Sequence, residues 1–224
     1  MKIISGPLSM FGAKVEIAAH EKGIDFELIH TPFDPQRGYE PKHPDVLRIN
    51  PKRQVPVLMD DGLEIFDSTQ IFEYLEDVKP DPALWPADPK ARAVARQLEH
   101  CADEIFFPNI IRLMSLENTP DDPAAQAARI EGARYYRRME EVLGNRDCLA
   151  PTYSYADIAF YMAQLFGERK GVPMTEATPN LLAWRKRMSA RPAVLKVAGA
   201  MADYLASIGS PVPAFLREAI RRRG

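Results

Sequence analysis

Three prolines fall in the seven residues Pro80-Asp81-Pro82-Ala83-Leu84-Trp85-Pro86, and they divide this chain into two kinds of pattern. Proline fixes its own φ and donates no backbone hydrogen bond, so neither a helix nor a central strand runs through such a stretch. Before it, short alternating runs mix with helical ones; after it, only helical periodicity is found. The expected fold class is α/β followed by all-α. Residues 1–79 form a small α/β domain, 80–88 a linker and 89–224 an all-helical domain.

The first segment reads in a definite order. Lys2 to Ile4 is a short strand. Residues 10–22 are helical, with Val15, Ala18, Ala19 and Lys22 near the 3.6 spacing and Gly23 as the stop. Phe26, Leu28 and His30 alternate as a strand would, and a strand–helix–strand unit makes its two strands parallel. Residues 55–59 and 63–66 flank Asp60-Asp61-Gly62, a tight hairpin signal, and a helix over 68–78 follows. The order is βαβ, then ββα. Beyond the linker, Val94, Leu98, Cys101 and Ile105 make a helical stripe, and Pro108 should kink or end that helix. Residues 123–143, 154–170, 178–190 and 192–207 also read as helices.

The 224 residues carry a net charge of −2, so no field draws in nucleic acid or acidic lipid. The basic tail Arg221-Arg222-Arg223 reads as a solvated end. No run approaches the roughly 20 apolar residues of a membrane span. Cys101 and Cys148 make neither a disulfide framework nor a metal signature, which points to a reducing, cytoplasmic setting.

Two short motifs could hold a ligand. Val55-Pro56 opens the apolar run Val57-Leu58-Met59, and a loop proline beside a strand exposes its neighbour's N–H and C=O. Asp67-Ser68-Thr69 precedes the amphipathic segment Ile71-Phe72-Tyr74-Leu75-Val78, where a helix start offers N–H groups and hydroxyls to an anion. Together they would grip a small peptide, extended backbone on one side and α-carboxylate on the other. Each also has a structural reading: Asp67 and Gln70 have capping-box spacing.

Ser9 lies just before the first long helix and is by position an N-cap. Its hydroxyl could also stabilise a ligand thiolate. Lowering a thiol pKa by about two units takes roughly 2.7 kcal/mol. One hydrogen bond to a charged acceptor supplies about 1.5–3 kcal/mol, and a helix N-terminus adds about 0.3–1 kcal/mol. No general base is then required. Ser154-Tyr155-Ala156-Asp157 is a second capping box, read as structural. Phe106, Phe107, Ile110, Ile111 and Met114 cover one broad side of a helix, as core or as the wall of an apolar slot.

Other chemistries fail on the residues. His20, His30, His43 and His100 lack ligand spacing, so no metal is expected. Gly6-Pro7-Leu8-Ser9-Met10-Phe11-Gly12 is not a serine-hydrolase elbow, and no glycine-rich phosphate loop occurs. Arg134-Tyr135-Tyr136-Arg137-Arg138 reads as an exposed helix face with its apolar side inward.

The chain resembles the glutathione S-transferases over nearly its whole length. The likeness rests on Ser9-Met10-Phe11 with Lys14-Val15, then Glu21-Lys22-Gly23, Ile49-Asn50-Pro51, Gln54-Val55-Pro56-Val57-Leu58 and Asp67-Ser68-Thr69. In the second half it rests on Ser154-Tyr155-Ala156-Asp157 and on Trp184 through Arg191-Pro192-Ala193. The resemblance implies a thioredoxin-like domain followed by a helical one, with glutathione as co-substrate. It implies a cis Val55–Pro56 bond, the Val55 backbone pairing with the cysteinyl part and Asp67 and Ser68 holding the γ-glutamyl group. Ser9 would face the sulfur and Gln54 the glycyl end. Phe11, Phe107, Ile110, Ile111 and Met114 would line the pocket of a small apolar electrophile. A homodimer and a detoxification role are also implied.

Met10 stands where the family commonly has proline, and Lys52-Arg53 replaces the usual residue-plus-glycine. No cysteine occupies position 9 and no tyrosine precedes Tyr39, which disfavours the cysteine- and tyrosine-type sites. The stretch from Ile49 to Asp88 is also similar to the bacterial aryl β-etherases, which use glutathione to break ether bonds in lignin fragments. Conjugation by a serine-type transferase is the main expectation. The alternatives are a non-catalytic glutathione-binding or partner-docking protein, and ether cleavage or reduction on the same bound thiol.

Overall fold

The computed structural model describes residues 1–222, so Arg223 of the basic tail lies outside the described residues. The chain divides into two compact units. The first joins Met1–Ala83 to Pro192–Ser210; the second joins Leu84–Arg191 to the described residues from Pro211 on.

The first unit is built on one four-stranded sheet. Its elements are β1 (Lys2–Ser5), α1 (Met10–Glu21), β2 (Glu27–His30), α2 (Pro44–Ile49), β3 (Val57–Asp60), β4 (Leu63–Phe66) and α3 (Ser68–Val78). The strand order is β2-β1-β3-β4. β1 and β2 are parallel, as the α1 crossover requires, while β3 is antiparallel to both β1 and β4. The β3–β4 turn has positive φ at Asp61 (43°) and Gly62 (86°), the geometry that Asp-Gly favours in a two-residue hairpin. Ile3, Val15, Ala19, Leu58, Ile71 and Leu75 form the core under α1 and α3. Ile4, Val46 and Val57 form a smaller core that includes a residue of α2. The chain returns to this unit as α9 (Pro192–Ser207), which packs on α1.

The second unit is helical: α4 (Pro89–Cys101), a π-helical segment (Ala102–Phe106), α5 (Phe107–Ser115), α6 (Pro123–Leu143), α7 (Tyr155–Arg169), α8 (Pro179–Ser189) and α10 (Ala214–Arg221). Phe106, Tyr135, Tyr136, Phe160 and Trp184 interlock at its centre, with ring centroids 5.1–6.2 Å apart. α7 is buried from Tyr155 through Gly167. Both halves of its Ser154–Asp157 capping box form, and Asp157 Oδ1 also accepts from Leu149 N and Trp184 Nε1, each at 2.9 Å. Tyr135 and Tyr136 are buried while the arginines beside them are not, as the sequence implied.

The stripe drawn through Val94 and Ile105 needs correction. Both side chains are exposed, at 50% and 47%. Leu98 and Cys101 of the stripe do face inward, with Ala95 on α4 and Ala102 at the start of the π-helical segment beside them. The π-helical segment then adds residues to the turn, which rotates the following face and turns Phe106 inward in place of Ile105. Pro108 sits in the first turn of α5, directly after the π-helical segment that interrupts the α-helix, where proline is well tolerated.

Candidate functional site

Register in the sheet brings the first unit's candidate residues to one end. Ile4 of β1 faces Val57 of β3, and Val57 faces Phe66 of β4. The carboxyl end of β1, the start of β3 and the carboxyl end of β4 therefore lie side by side. From these three points run the Gly6–Ser9 turn, the Gln54–Pro56 loop and the Asp67–Ser68 helix start. Ser9, Gln54, Val55, Pro56, Asp67 and Ser68 thus share one end of the sheet, with the N-termini of α1 and α3.

Ser9 is the N-cap of α1. Its Oγ accepts from Gly12 N at 3.0 Å, which leaves its own O–H to donate. Its N–H donates to Gly6 O at 2.9 Å, closing a tight turn. Tyr39 braces that turn from outside: its hydroxyl accepts from Leu8 N at 3.0 Å. A Cβ on Gly6 would stand 2.3 Å from the Tyr39 ring, so only glycine lets the ring come so close.

The Val55–Pro56 bond is cis. Among the described residues no hydrogen bond occupies the Val55 N–H or C=O, whereas the strand pairing resumes at Val57. Asn50 shapes the loop before it. Asn50 Nδ2 donates to Gln54 O at 2.6 Å, and Asn50 Oδ1 accepts from Lys52 N at 2.9 Å. The buried Asn50 thus holds Lys52, Arg53 and Gln54 outward, with Arg53 at a positive φ of 54°.

Asp67 caps α3 with φ at 77°; Oδ1 accepts from Thr69 N at 3.1 Å and Gln70 N at 3.4 Å. Ser68, the first helical residue, is buried. Capping does not use up this helix start, because one carboxylate cannot satisfy every N–H of a first turn.

The residues expected to line an electrophile pocket divide differently. Phe11 lies half-buried in the first turn of α1, with the Lys14 ammonium 5.5 Å from its ring centre. Phe107 and Ile110 are buried in the helical unit, where Phe107 stacks on Phe166 at 5.1 Å. Ile111 and Met114 are exposed. Tyr39 and Asn50 were not singled out as site residues by their sequence context. Asn50 stood only in the family-like Ile49-Asn50-Pro51 string, and Tyr39 carried no local signal at all. Among the described residues no group of His, Cys, Asp or Glu is arranged to hold a metal ion. None of the described helices is long and apolar enough to cross a membrane.

A cis-proline loop, a helix-capping serine and an Asp-Ser helix start at one end of a βαβ–ββα sheet mark a thioredoxin-like fold. Residues 8–78 match the family described as "Glutathione S-transferase, N-terminal domain", and residues 101–192 match "Glutathione S-transferase, C-terminal domain". The chain is 32% identical over 219 residues to Protein LigF of Sphingobium sp., covering 78% of this chain and 84% of that one. It is 31% identical to the probable glutathione S-transferase parC of Nicotiana tabacum, covering 84% of each. The crystal structure of beta-etherase LigF superposes with a TM-score of 0.74 at 29% identity, covering 88% of this chain and 97% of that one. A glutathione S-transferase from Methylobacterium radiotolerans, in complex with glutathione sulfonate, does so with a TM-score of 0.73 at 27% identity, covering 88% and 93%. The chain belongs to the glutathione S-transferase family.

Proposed function

We propose that this protein is a glutathione-dependent transferase in which Ser9 holds the glutathione sulfur as thiolate. The observation that carries this is the open main-chain pair of Val55, held by a cis proline at the same sheet end as the Ser9 hydroxyl. An extended peptide adds there like a strand, through its own N–H and C=O. The cysteinyl backbone would pair with Val55, the γ-glutamyl group would lie at Asp67 and Ser68, and the glycyl end would approach Gln54. The relative from Methylobacterium radiotolerans, solved with glutathione sulfonate, supports glutathione as the ligand.

Ser9 donates its O–H to sulfur, and the N-terminus of α1 favours the anion. The thiol proton leaves to solvent. The thiolate then attacks an electrophilic carbon; a C–S bond forms, and the leaving group departs with the electron pair of the bond it loses. The protein's contribution is ionisation and positioning.

The likeness to Protein LigF, whose crystal structure is described as that of a beta-etherase, favours one specific version of this step. There the electrophile is an ether and the leaving group an alkoxide or aryloxide. Two free cysteines support a reducing, cytoplasmic setting, and the family resemblance supports a homodimer.

The test is Ser9→Ala. The ultraviolet thiolate absorbance of bound glutathione and kcat should both fall, while glutathione affinity changes little. An unchanged kcat removes Ser9 from the chemistry, and glutathione binding without turnover on any electrophile or aryl ether would leave a binding protein. Product analysis separates a thioether formed by displacement from a disulfide formed by reduction.

A further inference from the structure

A cavity of about 150 Å³ lies between α1 and α9, beside the Gly6–Pro7 turn. None of Ser9, Val55, Pro56, Asp67 or Ser68 lines it. Its floor is made by the buried Ala13, Glu16, Val197 and Met201. Its mouth is formed by His30 and Ala200, both exposed, and by the half-buried Tyr204. Ser5 faces His30 across the parallel β1–β2 pair, so the cavity sits at the carboxyl ends of these strands. Open α/β sheets take ligands at that end.

Glu16 is the one acid in an otherwise largely apolar floor, and its side chain is only 7% exposed. Its Oε1 accepts from the buried Ser5 Oγ at 2.6 Å, and His30 Nε2 stands 3.9 Å from the same oxygen. Among the described residues, no hydrogen bond is made to its Oε2. A mostly buried carboxylate that lines a cavity with one oxygen unengaged favours a ligand that donates to it. The volume sets the size of that ligand, because a cavity of roughly 150 Å³ accommodates one benzene-sized ring.

We propose that this cavity is a binding site for a phenol-sized aromatic alcohol, its ring against Ala13, Val197 and Met201 and its hydroxyl donating to Glu16. The site is separate from the thiol site and stands whether or not Ser9 ionises glutathione.

The experiment titrates the whole protein, without glutathione, with phenol, toluene and benzylamine, followed by ligand-observed NMR. Phenol should bind about tenfold or more tightly than toluene, the effect of one hydrogen bond to a charged acceptor. Ala200→Trp, at the exposed mouth, should abolish phenol binding and leave the thermal midpoint unchanged. Glu16→Leu should bring phenol down to the affinity of toluene. If that variant fails to fold, the ligand comparison and Ala200→Trp still decide. Equal binding of phenol and toluene, tighter binding of benzylamine than of phenol, or phenol binding that survives Ala200→Trp would overturn the proposal.

Discussion

Lys22 Nζ lies 2.6 Å from Glu76 Oε2, tying the end of α1 to α3 with a lysine side chain that is wholly buried. The same ammonium donates to Lys79 O at 2.7 Å and Pro82 O at 2.9 Å. All three of its protons are thereby used, which is the condition under which a buried cation is tolerated.

Lys22→Met should therefore cost about 3–5 kcal/mol, because it leaves Glu76 without this cation and strips two carbonyls of their donor. Urea denaturation of the variant measures it. The double variant with Glu76→Leu should recover part of the loss, since replacing both members of a buried pair is milder than breaking it.

Tyr39→Phe keeps the ring against Gly6 but removes the acceptor for Leu8 N. Stability should fall by about 1 kcal/mol, the net worth of one hydrogen bond. The Ser9 turn should loosen, so kcat should drop several-fold while the KM for glutathione moves little. Equal kcat in variant and parent would show that the turn holds itself. Gly6→Ala should be worse, costing about 1–3 kcal/mol by overpacking against the same ring.

Asn50→Ala acts on the other side of the site. It removes the hydrogen bonds to Gln54 O and Lys52 N, both on exposed residues, at about 0.5–1.5 kcal/mol each. The Gln54–Pro56 loop should become mobile. The KM for glutathione should rise with kcat less affected, which steady-state kinetics would read directly.

Cys148 gives a pH test. Burial, and then the charge of Asp157, push its thiol up to about 11 from the ordinary 9.0. The folded protein keeps this proton over a range in which the unfolded chain has lost it. The sign follows: the thiol's contribution to stability is complete below pH 9 and is lost as pH rises toward 11. Alkylation of Cys148 in the folded protein should accelerate near pH 11, and Cys148→Ser should remove that phase. Fast alkylation at pH 8–9 without unfolding would contradict the burial.

Much of the architecture was legible because it rests on local rules. The 68–78 helix announces itself by an Asp-Ser start and a single apolar stripe, and α3 has those bounds. Residues 123–143 and 192–207 likewise carry unbroken periodicity between prolines, and α6 and α9 begin at those prolines. α2 was missed because six residues hold too little periodicity, although His43 caps it by accepting from Asp45 N. α10 was missed for a similar reason, at eight residues. The π-helical segment left no trace, since an added residue in one turn shows only in which side chains face inward. Lys22 looked like part of an apolar stripe, and it is as buried as one, but its partners sit 54 to 60 residues away. Of the site, the cap residues and the proline were visible as local chemistry. Asn50 and Tyr39 act through loops that only the folded chain brings together.

The sheet unit is not continuous in sequence. Its last helix, α9, arrives after the whole of Leu84–Arg191 has been made. On a ribosome, the strands and first helices emerge early, yet the flank of α1 that meets α9 stays bare until residue 207 clears the exit tunnel. A nascent chain halted before Pro192 would present that greasy flank to chaperones, while its helical half would already possess nearly all of its own sequence.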